Sequence, residues 1–265
     1  MQICLNGEIV SAAAARIDPA DRGFTLGDGV FETVRVRGGQ GRRVNAHLQR
    51  LHHGLATLSL ATAWRDEQLS DWIVATAAAN ALTDAAVRLT ISRGPAPRGL
   101  ALPASPTPTL VITAGPVPEP EPVNVVIAAT TRRNEHSPLA RIKSLNYLDN
   151  VLAKHEAVMR GGDDALMLNS VGAVACASAA NLFALIDGGL VTPRLADGAL
   201  AGVVRADAIK LGRAEEREIR PELLARASEV FLTNALGIRP VLSIDTKPVG
   251  DGEPGLITQL LAARL

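Results

Sequence analysis

The chain has 265 residues, of which 47% are hydrophobic, enough apolar surface for one large domain or two modest ones, so disorder is excluded as its main state. It carries 27 Lys and Arg against 27 Asp and Glu, a balance that gives no electrostatic footprint for nucleic acid. Aromatic residues make up only 3%, so stacking platforms for single-stranded nucleic acid are not expected.

The first 115 residues predict a small α+β domain. After a turn-rich stretch at 17–29, β-branched residues predict a strand at 30–36 that ends at two glycines. Leucines at helical spacing then predict a helix that is capped by Asn45 and reaches Leu58. The remaining predicted elements are an Ala-rich helix at 67–82 and strands at 86–92 and 109–114.

A proline-rich connector follows this domain. Four prolines fall within residues 116–122, where they exclude a helix and favour an extended chain. We therefore predict a first domain at 1–115, a linker at 116–122 and a larger domain at 123–265.

The residues after the linker predict a larger α/β domain. An amphipathic helix at 144–159, closed by two glycines, follows a first strand at 123–129. The other predicted elements are strands at 165–169, 173–177, 182–186 and 229–233, and helices at 203–211 and 221–227. We expect a crevice between the two domains, a common location for ligands.

Nothing in the sequence indicates export or membrane insertion. The two cysteines, Cys4 and Cys176, are too few for a disulfide framework. Residues 1–8 lack the basic and apolar pattern of a signal peptide, and no apolar run reaches the roughly 18 residues of a spanning helix. We expect a soluble cytoplasmic protein with neither a membrane nor a nucleic-acid partner.

Chemistry that needs a free amine has only four candidates, namely Lys143, Lys154, Lys210 and Lys247. Lys143 lies directly before the helix predicted to be capped by Ser144, where the positive potential of a helix N-terminus and partial burial both favour a neutral amine. Because a neutral amine can form a Schiff base, Lys143 is the preferred candidate. The alternative is an ordinary surface lysine, the commoner role of this residue type.

Two features could bind an anion. Arg50 lies on the flank of an apolar helix stripe, from which a guanidinium can hold a phosphate in bidentate fashion, although a solvated arginine is the alternative. The helix predicted to start at Val203 offers free backbone amides, as any helix start does. No zinc spacing, phosphate-loop signature, dinucleotide fingerprint or serine-nucleophile elbow is present, and no metal site is predicted.

Six segments together resemble the class IV pyridoxal-phosphate aminotransferase family, which includes branched-chain and D-amino-acid transaminases and aminodeoxychorismate lyase. They are DRG with GDGVFET (21–33), HLQRL (47–51), IKSLNYL (142–148), SAANLF (178–183), AGVVR (201–205) and FLTN (231–234). Each is weak alone, but their shared order is highly specific. The resemblance implies an α/β fold of type IV, with a small α+β N-terminal domain and a larger barrel-like C-terminal domain. It also implies a homodimer, with pyridoxal 5'-phosphate bound between the domains.

The resemblance further implies roles for individual residues. Lys143 becomes the Schiff-base lysine and Arg50 the phosphate-binding arginine, assisted by the amides of Val203 and Val204. The other implied contacts are those of Tyr147, Cys176 and Asn234 with the cofactor and those of Phe31, Arg98 and Ala235 with the substrate.

Three positions depart from the family's pattern. Cys176 stands where the family usually has a glutamate that keeps the ring nitrogen of the cofactor protonated, which a thiol would do poorly. Val204 replaces a frequent threonine, and Ala235 replaces a frequent hydroxyl residue. Two side-chain contacts to the phosphate are therefore expected to be missing.

Several segments resemble aminodeoxychorismate lyase within this family, namely residues 91–94, 98–99, 192–195 and 233–236. Leu100 stands where the D-amino-acid enzymes usually have a histidine. The implied reaction converts 4-amino-4-deoxychorismate to 4-aminobenzoate and pyruvate, a step of folate biosynthesis. A branched-chain or D-amino-acid transaminase is the alternative, and a non-catalytic cofactor-binding relative is a third hypothesis.

Overall fold

The computed structural model describes residues 1–265, which divide into two compact units. The first unit comprises Met1–Pro118 and Ile142–Asn146, and the second comprises Glu119–Arg141 and Tyr147–Leu265. The sequence analysis places Lys143 in the C-terminal domain, whereas the structure packs its segment with the first unit. No α-helix of the chain combines the length and the apolar character that a membrane span requires.

The first unit is built on one six-stranded antiparallel sheet in the order β2-β1-β6-β5-β3-β4. Alternate residues of its central strands are buried, and the apolar faces of two helices supply the rest of the core. Its elements are β1 (Gln2–Leu5), β2 (Glu8–Ser11), α1 (Arg22–Leu26), β3 (Gly29–Arg37), β4 (Gln40–Gly41), α2 (Val44–Thr57), α3 (Asp66–Ala79), β5 (Ala85–Ser92) and β6 (Thr109–Gly115).

The second unit contains a nine-stranded mixed sheet in the order β12-β11-β10-β13-β14-β7-β8-β9, with β15 paired to β14. Strand β8 is buried along its whole length, and so is β9, as continuous apolar strands require. The elements are β7 (Val123–Ile127), α4 (Leu148–Met159), β8 (Asp164–Leu168), β9 (Val174–Ala177), β10 (Asn181–Ile186), β11 (Gly189–Thr192), α5 (Val203–Gly212), β12 (Glu215–Glu216), α6 (Pro221–Leu224), β13 (Glu229–Asn234), β14 (Gly237–Ile244), β15 (Lys247–Pro248) and α7 (Leu256–Arg264).

Two predicted helix starts are wrong. Helix α2 begins at Val44, and its N-cap is Arg43 in a left-handed conformation, so Asn45 lies inside the helix and caps nothing. The helix predicted from Ser144 begins only at Leu148, because the residues before it are drawn into sheet-like pairing. The argument that a helix terminus favours a neutral Lys143 amine therefore fails.

The Lys143 segment runs antiparallel to the start of β3. The Phe31 amide donates a hydrogen bond to the Lys143 carbonyl (2.9 Å), and the Leu145 amide donates to the Gly29 carbonyl (2.9 Å). Ser144 lies between them and forms a β-bridge with Val30. These backbone bonds fix the position of Lys143 within the first unit.

Gly29 permits this close approach. A Cβ atom at residue 29 would lie 2.4 Å from the Ile91 carbonyl oxygen and 2.8 Å from a methyl group of Leu145. Since a backbone atom cannot move away cheaply, any side chain here would separate the lysine segment from β3 or strain the β3–β5 pair.

We expect Gly29→Ala to lower the free energy of unfolding by about 2 kcal/mol because of this overpacking. Urea-induced unfolding of the two proteins measures the difference. Gly115→Ala is the matched control, since a Cβ at residue 115 has nothing within 4 Å, and it should change stability little. Equal effects of the two substitutions would contradict the proposed crowding.

Candidate functional site

The Phe31 ring is contacted by two cationic side chains. The Lys143 Nζ lies 4.1 Å from the ring centroid, and the Arg88 Cζ lies 3.6 Å from it. Phe31 is buried, whereas Lys143 is partly exposed and Arg88 is exposed. An amine and a guanidinium therefore lie next to the same aromatic ring. The distance between the Lys143 Nζ and the Arg88 Cζ cannot exceed the sum of their distances from the ring centroid.

The next residue of β3, Glu32, is the centre of a buried ionic network. Arg50 donates from Nε to Glu32 Oε1 (2.7 Å) and from Nη2 to Oε2 (2.6 Å), and His47 Nδ1 lies 2.8 Å from Oε2. Burial opposes ionisation of Glu32, but the hydrogen bonds and charges of Arg50 and His47 outweigh it and hold the pKa of this carboxyl below its usual value. Arg50 is therefore held in a bidentate geometry.

Lys143 and Arg50 approach β3 from opposite faces, because successive strand residues point to opposite sides. Phe31 points toward Lys143, and Glu32 points toward α2, which carries Arg50. Strand β4 pairs only with Val36 and Arg37, so β3 has no strand partner on that side over residues 32–34. Groups from both faces can meet along this open edge.

A second carboxylate, Asp28, holds the turn before β3. Arg22 donates to it at 2.8 Å, and Arg93 donates to both of its oxygens at 2.8 and 3.0 Å. Burial opposes ionisation of Asp28, but hydrogen bonds from Arg93 and Arg22 outweigh it and lower its pKa. The two guanidiniums also donate to backbone carbonyls, Arg93 to Leu58 and Ser59 and Arg22 to Gly99 and Ala101.

Arg98 lies on the exposed loop that Arg22 supports. It lines a cleft of about 530 Å³ whose walls include Arg22, Thr25 and Leu100. Neither Lys143 nor Phe31 is part of that wall. Within the first unit, Lys143 therefore contacts Phe31 on one face of β3, Arg50 contacts Glu32 on the other face, and Arg98 lines a different cleft.

The second unit carries the other predicted residues. Helix α5 begins at Val203 after Gly202, which has no side chain to cap it, so the first-turn amides of Val203 and Val204 lie at the positive end of the helix. The Asn234 side chain accepts a hydrogen bond from the Leu236 amide (2.9 Å) across the turn that contains Ala235. Tyr147 occupies the N-cap position of α4 and makes no side-chain capping bond there.

Cys176 lies on β9 in an apolar cluster. Its neighbours in this cluster include Val126, Ala153, Met167 and other small side chains, and its exposure is only 6%. Burial raises the pKa of the Cys176 thiol, and the negative charge of Asp164 acts in the same direction, while the charge of Arg133 opposes them. A neutral thiol is the form that this environment favours.

Three residues of the site escape the sequence analysis: Arg88, Glu32 and His47. Arg88 reads as one polar position of an alternating strand, and only the partner strand shows that it stacks on Phe31. Glu32 and His47 fall inside two of the resembling segments, but their mutual contact joins residues 15 positions apart. One feature of the sequence could have indicated Glu32: it is a charged residue on the same strand face as the apolar residues Val30 and Val34.

The family model for class IV amino-transferases matches residues 29–244. The chain belongs to the class IV aminotransferase family. It is 33% identical over 270 residues to a candidate branched-chain-amino-acid aminotransferase of Methanocaldococcus jannaschii, and the match covers 98% of this chain and 94% of that protein.

Solved structures of class IV enzymes share the fold. The branched-chain aminotransferase of Thermoproteus uzoniensis with norvaline matches with a TM-score of 0.92 at 28% identity, covering 100% of this chain and 93% of that chain. A candidate 4-amino-4-deoxychorismate lyase of Legionella pneumophila gives a TM-score of 0.85 at 29% identity, with 94% of each chain covered. The predicted α/β class IV fold and family are thereby confirmed.

The predicted cofactor, pyridoxal 5'-phosphate, is the cofactor of this family. The residues of the structure fit it chemically. In the first unit, Lys143 supplies an amine that can react with an aldehyde, and Arg50 supplies a guanidinium suited to a phosphate. In the second unit, the start of α5 supplies backbone amides of a kind that also suits a phosphate. The side chains clustered around Cys176 are apolar, and Asp164 is the anion whose charge acts on its thiol.

We expect Glu32→Gln to lower the free energy of unfolding by about 3 kcal/mol near pH 7, because Arg50 and His47 lose a buried countercharge. The folded-state pKa of Glu32 is depressed, so its stabilising contribution is complete above the ordinary value of 4.5 and is lost as the pH falls through the folded-state value. Urea unfolding at about pH 7 and about pH 3.5 should therefore show a smaller difference at the lower pH.

Glu253→Gln is the control for this measurement, since Glu253 is exposed and should be replaced with little effect at either pH. A Glu32→Gln difference that stays constant between the two pH values would show that the ionised carboxylate is not what stabilises the network.

Proposed function

We propose that this class IV enzyme is an aminodeoxychorismate lyase that forms 4-aminobenzoate and pyruvate. The observation that carries the proposal is the apolar, buried site of Cys176, which favours a neutral thiol where the family's pattern has a carboxylate. Without that anion, withdrawal of electrons by the cofactor ring is weaker. A reaction driven by formation of an aromatic product tolerates this loss better than one that depends on the cofactor alone.

The proposed roles follow from the chemistry of each group. Lys143 is the amine that bonds to the cofactor, and Arg50, held by Glu32, binds the phosphate together with the amides of Val203 and Val204. Further proposed cofactor contacts come from Tyr147, Cys176 and Asn234. When bound, pyridoxal phosphate supplies an aldehyde that bonds to amines and a ring that accepts electron density.

Lys143 also has the proposed role of general base. With the cofactor bound, the Lys143 Nζ would accept the proton of the ring carbon that bears the substrate amine. The carbon–oxygen bond to the enolpyruvyl group would break, that group would take up one proton and leave as pyruvate, and the ring would become aromatic. The products contain all the atoms of the substrate, so no added reactant is needed. The contact of the Lys143 Nζ with the Phe31 ring, 4.1 Å from its centroid, supports this role because it restricts the positions of the amine.

Substrate binding is proposed for Phe31, Ala235 and two arginines. Arg98 is the carboxylate-binding residue that the resemblance implies, but it lines a separate cleft of the first unit. Arg88 has its guanidinium on the same ring as Lys143 and is therefore the better placed of the two within this chain.

A transaminase is the second candidate function, and the 33% identical relative, a candidate branched-chain-amino-acid aminotransferase, favours it. A transaminase needs two half-reactions with an amino acid and a 2-oxo acid, whereas the lyase needs neither. The two cysteines are both free, which supports the cytoplasm as the proposed location for either activity.

We expect the purified protein, supplied with pyridoxal phosphate and aminodeoxychorismate, to release pyruvate and 4-aminobenzoate in equal amounts. Lys143→Ala should reduce this rate by at least about 1000-fold, whereas Lys247→Ala, which removes an exposed lysine, should leave it unchanged. Borohydride treatment should remove the visible absorbance and add the reduced cofactor's mass at Lys143. Amine transfer from an amino acid to a 2-oxo acid, without these products, would replace the lyase by the transaminase.

We expect Arg88→Gln to raise the KM for the carboxylate substrate by roughly 10-fold or more, because it removes a charge-assisted contact. Arg98→Gln is the matched variant, and steady-state kinetics of the two should show the smaller change for Arg98. The reverse order would assign the carboxylate to the Arg98 cleft.

A further inference from the structure

The start of α5 lacks the side chain that usually caps a helix. Most helices begin with Ser, Thr, Asp or Asn, whose side chain accepts hydrogen bonds from first-turn amides. The N-cap residue of α5 is Gly202, in an extended conformation (φ −70°, ψ 136°) that other residue types adopt equally well. The backbone conformation therefore does not require a glycine at this position, and a different constraint applies.

The Asn181 side chain supplies that constraint. A Cβ atom at residue 202 would overlap the Asn181 Oδ1 and lie 3.2 Å from the Asn181 Cγ. Asn181 is held in place, because it is only 6% exposed and its Nδ2 donates a hydrogen bond to the Leu200 carbonyl (2.8 Å). Asn181 thus occupies the space that a capping side chain at residue 202 would need.

A second polar side chain lies beside Asn181 in the sheet. Thr233 of β13 is directly opposite Asn181 of β10 in their antiparallel pairing, so the two side chains are on the same face. Thr233 is 1% exposed, and its Oγ1 is buried without a hydrogen-bond partner. Since buried hydroxyl groups nearly always have a partner, this one indicates that a ligand can reach the same end of the two strands.

We propose that Asn181 is a positioning residue that keeps the first-turn amides of α5 available to an anion, because it excludes a capping side chain at residue 202 and holds the Leu200 carbonyl. This inference rests on the proposed binding of the cofactor's phosphate by the amides of Val203 and Val204. The first turn of α5 contains no acidic residue, so no charge of its own competes with an anion at the positive end of the helix.

The geometry of a capped helix explains why the exclusion matters. An N-cap side chain accepts a hydrogen bond from the second or third residue of the helix, which are Val204 and Arg205 in α5. A serine at residue 202 would therefore compete with the phosphate for the Val204 amide. A glycine gives up a small part of the helix's stability and leaves this donor to the ligand.

The test is a double-mutant cycle on the full-length protein, with pyridoxal phosphate and inorganic phosphate as the two probes. Asn181→Ala should raise both dissociation constants by about 10-fold, because the residues before α5 lose a buried hydrogen bond. Gly202→Ser alone should lower the melting temperature, since Asn181 fills the space of the new side chain. Absorbance titration measures the first constant, and competition measures the second.

The double variant separates positioning from a merely structural role. Asn181→Ala with Gly202→Ser should melt higher than Asn181→Ala without ligand, because the serine now caps α5, yet it should bind both probes still more weakly. A merely structural role would move stability and affinity in the same direction. A double variant that binds pyridoxal phosphate as tightly as the wild-type protein would overturn the inference.

Asn169→Ala is the matched control. Asn169 is also buried in the second unit and also bonds to the backbone, accepting from the Ala173 amide (2.8 Å), but it lies in the turn before β9. Its replacement should leave both dissociation constants unchanged. These affinities do not depend on whether the loaded enzyme is a lyase or a transaminase, so an error in the proposed reaction leaves the test intact. A wild-type protein that does not bind pyridoxal phosphate would overturn the cofactor site and this inference together.

Discussion

The antiparallel pairing of the lysine segment with the first residues of β3 is the constraint on which the candidate site depends. Two backbone hydrogen bonds and one β-bridge hold residues 143–145 against Gly29–Phe31. Since this backbone is fixed on both sides, the Lys143 side chain has few positions available, and one of them lies beside the Phe31 ring. An amine that must meet a reactive carbonyl gains from such restriction, because less freedom is lost when it reacts.

Strand β3 also positions the arginine that is proposed to bind the phosphate. Two adjacent residues of β3 contact different groups: Phe31 contacts the Lys143 amine, and Glu32 contacts Arg50. A bidentate carboxylate fixes the orientation of the planar Arg50 guanidinium, at the cost of sharing its charge. His47 adds a third member, so loss of any one of them leaves a buried group without its partner.

Most helices and strands of this fold can be predicted from the sequence, and each wrong prediction has a physical cause. The strands at 85–92 and 109–115 carry alternating or continuous apolar residues, and local pattern was sufficient to find them. Ser144 carries a good helix-capping side chain, yet its backbone pairs with Val30, because tertiary hydrogen bonds override a local preference. The sequence predicts no strand at β14, because the strand contains a proline and its register with β7 is irregular near its end.

Some residues of the candidate site can likewise be predicted from the sequence, and others cannot. Among four lysines, the sequence favours Lys143 through its place before a predicted helix, which the structure does not bear out, and through the resemblance; its contact with Phe31 is visible only in the folded chain. Arg88 could not be selected, because its stacking on Phe31 depends on the register between β3 and β5. Residue types can be read from sequence, whereas pairing across strands is a property of the folded chain.

The sharing of Asp28 between Arg22 and Arg93 leaves one buried cation without a matching anion. The two guanidiniums also donate hydrogen bonds to peptide carbonyls of two loops, and these bonds lower the cost of burying the second positive charge. Because both guanidiniums are almost fully buried, dissolved ions screen their interaction with Asp28 only weakly. The contribution of this network to stability should therefore depend less on ionic strength than that of the exposed ion pairs, such as Arg226 with Asp187.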